Sequence, residues 1–534
     1  MKNGADKMFF KKQQQQQKRT EYTQFAPSSN FGRGVSSIQS ASQELFHQAK
    51  SFNPLHLLDE SKYFLGLDHK TGEPIYLPNK DVVHFLITAP TRSGKGIFFG
   101  IKAIETIRQN KGLIVIDPKE DEWLPQIILE ELMRQGREED LIIWNWSSDF
   151  SYKVFEFDDY IEATKKLTIM LNLIEVENEA GASHYRKSER IVLKKVMMYF
   201  FNAYNYLGIP FKKDIPHLLQ FLRYVVSDLT SHINFTIEYN KPKPNMSLLL
   251  EYSKRYFDPK RFSSLEFSEK HLPTLESLLF SLSEFEDVTW RETSSILEAL
   301  TDGKVIYIKS DMLDESALKF LKFIITDIVA KAKKLKGKVN CLVLADEISF
   351  YPTPILSSAL ATIAGFGVTF ALAYQDDGQL RDENLKSAIK SNCQTKIYYK
   401  SSDIKTLEYI EKLSGKELVS KITKNGNDTT IRQDTQDYLN ITKQRALPKS
   451  QVAILIQESL SEPLIFDTYP IPVAHPFDWE SDNNRYSEMA LLRLDKNYTV
   501  EEFKESKKEP KNTSVSSDET TLTDTIVSVT KFEI

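Results

Sequence analysis

The sequence predicts an α/β fold: a mostly parallel sheet covered on both faces by helices, with an all-α segment inserted into it. Three observations lead there. Apolar runs of strand length alternate with helix-length amphipathic segments, the pattern of a parallel sheet buried on both sides. Several of these runs stop at polar or glycine-containing turns, where such sheets bind ligands at their carboxyl edge. From residue 181 to 286 the strand signals fade and helical spacing takes over.

Residues 1–52 read as a flexible polar and basic arm. Lys11-Lys12, the glutamines from Gln13 to Gln17, Lys18-Arg19 and a Ser/Gly-rich stretch bury little apolar surface. Their charge leaves a role in partner or nucleic-acid binding open. Between 53 and 180, strands are expected at Val82 to Thr88, Gly112 to Ile116 and Leu141 to Trp144. The second runs into Asp117-Pro118-Lys119-Glu120, a polar turn at the ligand-binding edge. In the insertion, 181–286, Arg190 to Tyr206, His217 to Leu229, Met246 to Tyr256 and Leu272 to Phe285 carry apolar residues at helical spacing. The sheet resumes over 287–480 with Val305 to Lys309, Cys341 to Leu344, Val368 to Ala373 and Thr395 to Tyr399, and with helices near Glu315 to Lys336 and Ile355 to Ala364. Lys421 to Asp437 reads as a projecting hairpin that turns at Asn425-Gly426-Asn427-Asp428. Residues 481–534 are expected to be a flexible, solvated tail; Asp518 to Asp524 and Lys531 to Ile534 are candidates for a short docking peptide.

Composition narrows the function classes. With 534 residues the chain can hold more than one domain, and its formal charge of -5 gives no global basic field, so any nucleic-acid surface must be local. Cys341 and Cys393 are the only cysteines, which excludes a disulfide framework and a cysteine-based zinc site. No apolar run reaches the ~20 residues needed to span a bilayer, and the N-terminus lacks a signal-peptide pattern. The expectation is a cytoplasmic protein without a transmembrane segment of its own, reaching the inner membrane, if at all, through partners.

The chemistry lies in two segments. Residues 87–96, ITAPTRSGKG, join a strand to a helix. Such a loop aims successive backbone N–H groups and a helix N-terminus at one point, which suits a polyphosphate, and Lys95 would reach the β- and γ-phosphates. The loop departs from the usual G-x-x-x-x-G-K-[ST] pattern at both ends. Ala89 replaces the first glycine, and Gly96 replaces the hydroxyl residue that touches Mg²⁺. Thr91 or Ser93 cannot be assumed to replace that hydroxyl, so metal would rest more heavily on Asp346 and on water. The second segment, Cys341 to Ser349, is an apolar strand ending in Asp346-Glu347. One carboxylate can hold Mg²⁺, directly or through water, and the other can polarise an attacking water. Gln375, at the end of the next strand, is placed to sense the γ-phosphate or orient that water, or else it caps a turn with Asp376-Asp377-Gly378.

Five blocks carry a resemblance: APTRSGKG (89–96), VIDPKEDEW (115–123), LVLADEIS (342–349), LATIAGFGVTFALAYQDDGQL (360–380) and SNCQTKIYYKSSDIKTLEYIEKLSGK (391–416). In this order they resemble the TraG/TraD coupling proteins of conjugation and type IV secretion, as do RETSSILEAL (291–300) and LPKSQVAILIQESLSEPLIFD (447–467). The likeness covers roughly residues 60–475, and the Ala-first, Gly-last loop fits it. It implies a RecA-like P-loop ATPase that uses ATP and Mg²⁺, acts as a homo-hexamer, and delivers DNA, typically a relaxase-bound single strand, or protein to a secretion channel. Relaxosome and channel components are the implied partners, and the helical insertion occupies the place of the family's cytoplasmic all-α domain. By this resemblance Pro90, Thr91, Arg92, Ser93, Gly94, Lys95, Gly96 and Ile97 bind phosphate. Asp346 and Glu347 serve metal and water, and Gln375 senses nucleotide. A ring motor also needs a cation from a neighbouring subunit, for which Arg291, Arg381 and Arg92 are candidates. The family usually begins with two membrane helices, where this sequence has its polar arm.

Two other readings stand beside this one: a DNA-translocating ATPase for packaging or segregation, and a nucleotide-regulated cargo adaptor with little motor activity. The densest basic run, Lys331, Lys333, Lys334, Lys336 and Lys338, is expected to stay solvated at a helix C-terminus and complement its dipole. In a ring it would instead line a pore for a single strand.

Overall fold

Short runs of Val, Ile and Leu, bounded by turns and buried on both sides, form the central strands. The computed structural model describes residues 53–480 except 59, 80–81, 149, 174–179, 208–211, 240–266, 426–427 and 449–451. The expected N-terminal arm, the C-terminal tail, the helix Met246 to Tyr256 and the hairpin tip lie outside the described residues. The strands are β1 Lys62–Asp68, β2 Pro74–Pro78, β3 Phe85–Thr88, β4 Gly112–Asp117, β5 Leu141–Asn145, β6 Phe150–Tyr152, β7 Trp290–Ser294, β8 Val305–Lys309, β9 Cys341–Ala345, β10 Val368–Tyr374, β11 Thr395–Tyr399, β12 Lys416–Asn425, β13 Asp428–Asp437, β14 Val452–Gln457 and β15 Leu464–Asp467. The α-helices are α1 Lys95–Arg108, α2 Trp123–Arg134, α3 Tyr160–Met170, α4 Ala180–Leu207, α5 Ile215–Tyr239, α6 Leu272–Ser283, α7 Ile296–Thr301, α8 Glu315–Leu335, α9 Pro354–Ala359, α10 Glu383–Asn392, α11 Ile404–Leu413 and α12 Ile441–Ala446.

The main sheet has eleven strands in the order β2-β1-β15-β14-β11-β3-β10-β9-β4-β8-β5. From β11 to β5 every pairing is parallel. The four strands beyond β11 add in antiparallel fashion. The expected strands all lie in the parallel part, and the antiparallel extension is new to the structure. The expected helix Ile355 to Ala364 is shorter, ending at Ala359, with a separate 3₁₀ turn at Ile363–Phe366. The hairpin starts earlier, pairing from Lys416 with Asp437 to Asn425 with Asp428 in a sheet of its own.

Strand alternation sorts the core into two layers. On β4, Leu113 and Val115 face α1 and α2 with Phe98, Phe99 and Ile128. Ile114 and Ile116 face the opposite layer, where Phe320, Ile324 and Ile328 of α8 pack. That second layer continues without a break into α4, α5 and α6 through Leu193, Leu222 and Leu278. The insertion thus shares an interior with the sheet. Beside β5, the pair β6 and β7 closes its neck, and Trp144 Nε1 donates to Ser294 Oγ at 2.7 Å. Gly112 is required by close approach, because a Cβ there would lie 1.5 Å from the Ala299 carbonyl oxygen.

A charged cluster is sealed between α3, α8 and β6. Asp327 pairs with Lys166 and, at 2.9 Å, with Lys331, and it accepts from Tyr152 Oη. Lys166 also meets Asp158 at 2.6 Å. This corrects the expectation that Lys331 stays solvated, because its side chain is 4% exposed and is neutralised one turn back on its own helix. Burial pushes the Asp327 carboxyl up, but Lys166 and Lys331 outweigh it and hold the carboxyl below its ordinary range. Its stabilising effect is therefore present above the pH at which an unfolded aspartate titrates and is lost as pH falls through the lower folded value. Asp327→Asn, which leaves two buried ammoniums short of their partner, is expected to destabilise the protein by about 3–5 kcal/mol. A lowered urea midpoint at neutral pH, converging on wild type in acid, is the measurement that checks it.

Candidate functional site

The site forms where β3, β10, β9 and β4 end side by side at the carboxyl edge. After β3, Ala89 N donates to Tyr374 O at 3.1 Å, so the chain stays tied to β10 before it turns. Arg92 then takes φ 62°, and Gly94, at φ 110°, opens α1. That φ favours glycine because a Cβ would clash with the backbone. Ser93 Oγ donates to Pro90 O at 2.6 Å and closes the turn. No side chain caps the start of α1, so the helix N-terminus directs backbone donors and positive dipole outward. A Cβ on Gly96 would meet only Asp121 Oδ2, at 4.0 Å. The missing hydroxyl therefore leaves open space.

Lys95, the first residue of α1, meets both acids that follow β9. Its Nζ lies 2.5 Å from Asp346 Oδ1 and 2.5 Å from Glu347 Oε1. The sequence separates Lys95 from Glu347 by 252 positions, and the sheet brings them together across β10. Gln375, the residue after β10, fills the gap, with Nε2 donating to Glu347 Oε1 at 3.3 Å and Oε1 accepting from Gln379 Nε2 at 3.1 Å. Its side chain reaches the acid, so it does more than cap the adjacent turn.

Glu347 is the most constrained member. Its side chain is 0% exposed, and its backbone adopts φ 46°, a left-handed conformation that a non-glycine residue holds only when its surroundings enforce it. Ile348 N, bonded to Ala373 O at 2.9 Å, fixes the turn from the far side. Asp346 Oδ1 accepts from Glu347 N at 2.8 Å, and Tyr351 Oη donates to Asp346 O. Burial raises the Glu347 carboxyl, yet Lys95 and Lys119 outweigh it, leaving the pKa lowered and the group ionised. Burial likewise lowers the Lys95 ammonium, while Asp346 and Glu347 together raise it overall. Glu347 Oε2 is buried and has no hydrogen-bond partner among the described residues. An ionised oxygen in that position calls for a donor from outside the protein.

Lys119 was not singled out from sequence, although the turn containing it was. Its Nζ pairs with Glu347 Oε1. Asp117 Oδ1 accepts from Lys119 N at 2.9 Å, and Asp117 Oδ2 accepts from Asp121 N and Tyr307 Oη, each at 2.7 Å. Burial, followed by the neighbouring Asp121, pushes the Asp117 carboxyl up to about 6. The far end of this loop is strapped by the chain beyond β15. Tyr469 and Ile471 pack on Ile101, Ile104 and Ile127. Phe477 N donates to Glu122 O at 2.7 Å and Trp479 Nε1 to Asp121 O at 3.2 Å.

The arginines are more dispersed. Arg92 is exposed within the loop, and Arg381 is exposed between β10 and α10. Arg291 lies on β7, beyond the edge strand β5.

Known proteins place this geometry in context. Residues 42–459 match the family model described as type IV secretory system conjugative DNA transfer. The chain belongs to that family. One curated relative, the type 4 coupling protein DotL of Legionella pneumophila, is 34% identical over 84 residues, which is 16% of this chain and 11% of that protein's length. Among solved structures, the unbound bacterial conjugative coupling protein TrwBdeltaN70 superposes with a TM-score of 0.54 at 14% identity, covering 78% of this chain and 92% of its own. The plasmid coupling protein TrwB in complex with ADP and Mg²⁺ gives 0.52 at 15% identity, covering 77% and 91%. At such identities the likeness is one of fold, and that fold is the RecA-like α/β P-loop architecture. Among the described residues, no helix is long and apolar enough to cross a membrane. Of the lysine run, Lys333, Lys336 and Lys338 are exposed, and Lys334 Nζ donates to Phe157 O at 3.1 Å and pairs with Glu162. Lys331, inside the core cluster, is buried and contributes to no exposed surface.

Proposed function

We propose that this chain is an ATP-hydrolysing coupling protein that recruits DNA, as a relaxase-bound single strand, and protein substrates to a type IV secretion channel, working as a ring of six copies. The observation that carries the catalytic part is Glu347: a buried, ionised carboxylate with one oxygen held by Lys95 and Gln375 and the other lacking a donor. In this reading Lys95 exchanges its two carboxylates for the β- and γ-phosphate oxygens, and the loop from Pro90 to Ile97 presents backbone N–H groups to the same phosphates. Glu347 Oε2 accepts a hydrogen bond from the attacking water and then its proton. Gln375 keeps the other oxygen fixed and relays the nucleotide state through Gln379.

The residues fit Mg²⁺. That cation takes one or two carboxylates and completes its shell with phosphate and water. Asp346, 15% exposed at the rim, would hold it, and open space beside Gly96 leaves room for its water. When bound it would neutralise charge on the transferred phosphate.

Arg291, on β7 outside the main sheet, is retained as the cation offered to a neighbouring copy. ATPase activity with and without single-stranded DNA, measured beside the mass of the assembly, tests the proposal. Strong stimulation in a hexamer is expected. Activity indifferent to DNA in a monomer would favour a cargo adaptor, and no affinity for ATP would defeat the reading.

A further inference from the structure

We infer that Lys119 is the positioning residue that holds the Glu347 carboxylate in place once Lys95 has moved to phosphate. This rests on the proposed ATPase reading. Lys95 cannot serve two partners: its ammonium is bonded to Asp346 and Glu347 at 2.5 Å each, and a phosphate that recruits it must take it from them. Without Lys119, Glu347, wholly buried, would then hold a charge opposed only by a neutral amide 3.3 Å away. A buried charge without a counter-charge is costly enough to move or neutralise.

Lys119 answers that need. It binds the same Glu347 oxygen from the opposite side of the edge, and its side chain is 28% exposed. The loop holding it is hydrogen-bonded at both ends. Asp117 ties the Lys119 and Asp121 amides, while the Phe477 and Trp479 strap secures Asp121 and Glu122. With Lys119 on Oε1, Oε2 stays directed at its water whether or not Lys95 is engaged.

The test compares Lys119→Met with Lys119→Arg in the full chain, reading steady-state phosphate release and the affinity of a fluorescent ADP analogue, with thermal melting as a check on folding. For Lys119→Met, kcat is expected to fall about 10²-fold, the scale of a catalytic group displaced by about an ångström, with nucleotide affinity within about 3-fold of wild type. Lys119→Arg should recover most of the turnover. Unchanged kcat in Lys119→Met, or equal loss of affinity and turnover in both variants, overturns the inference while leaving the ATPase reading intact. A wild-type protein that neither binds nor hydrolyses ATP overturns both.

Discussion

Lys95→Ala is expected to reduce ATP hydrolysis at least 10²–10³-fold, about the effect of deleting one preorganised charge-stabilising donor in a catalytic site. The substitution removes the one cation positioned at both the α1 N-terminus and the two acids. Nucleotide affinity should fall as well, because Asp346 and Glu347 then face incoming phosphate with only Lys119 to offset them. Phosphate release and binding of a fluorescent nucleotide check the two effects separately. Cargo and DNA binding, if they reside on α4 to α6 or on exposed lysines, should survive. A variant that hydrolyses ATP at the wild-type rate would remove Lys95 from the mechanism.

Glu347→Gln should behave differently. The amide keeps the size of the side chain but can no longer take a proton from water, so turnover is expected to drop about 10²–10⁴-fold, the usual contribution of a general base. Binding should be preserved or tightened, since Lys95 loses one of its two competing carboxylates and is freer to meet phosphate. The expected result is a stable nucleotide complex that does not turn over. A variant that loses binding together with hydrolysis would assign Glu347 to metal or phosphate binding instead. The reciprocal pattern in Lys95→Ala and Glu347→Gln therefore separates the roles of the two residues.

Much of this site was legible because each of its parts ends an apolar run. Lys95 follows β3, Asp346 and Glu347 follow β9, and Gln375 follows β10, so pattern and position identify the same residues. Lys119 was not legible as a participant. It lies 228 positions from Glu347, and only the adjacency of β4 and β9 brings the two together. The parallel strands were readable for a physical reason, since burial on both faces makes them continuously apolar. Of the antiparallel strands, β1 is interrupted by an irregularity between Phe64 and Gly66, and β2 begins and ends in proline, features that weaken a strand signal. Lys331 was misread because its lysine neighbours suggested a solvated helix end, whereas its partner Asp327 lies at i−4 on the buried side of α8.

The unbroken interior joining Leu193, Leu222 and Leu278 to Trp144 and Ile308 has a mechanical consequence. Excising α4 to α6 would expose apolar residues of that shared interior to water, so deletion of the insertion should lower the melting temperature of what remains. The same layer holds Val343 and Ala345 of β9, so those helices and the strand that presents Asp346 and Glu347 are two sides of one packed body.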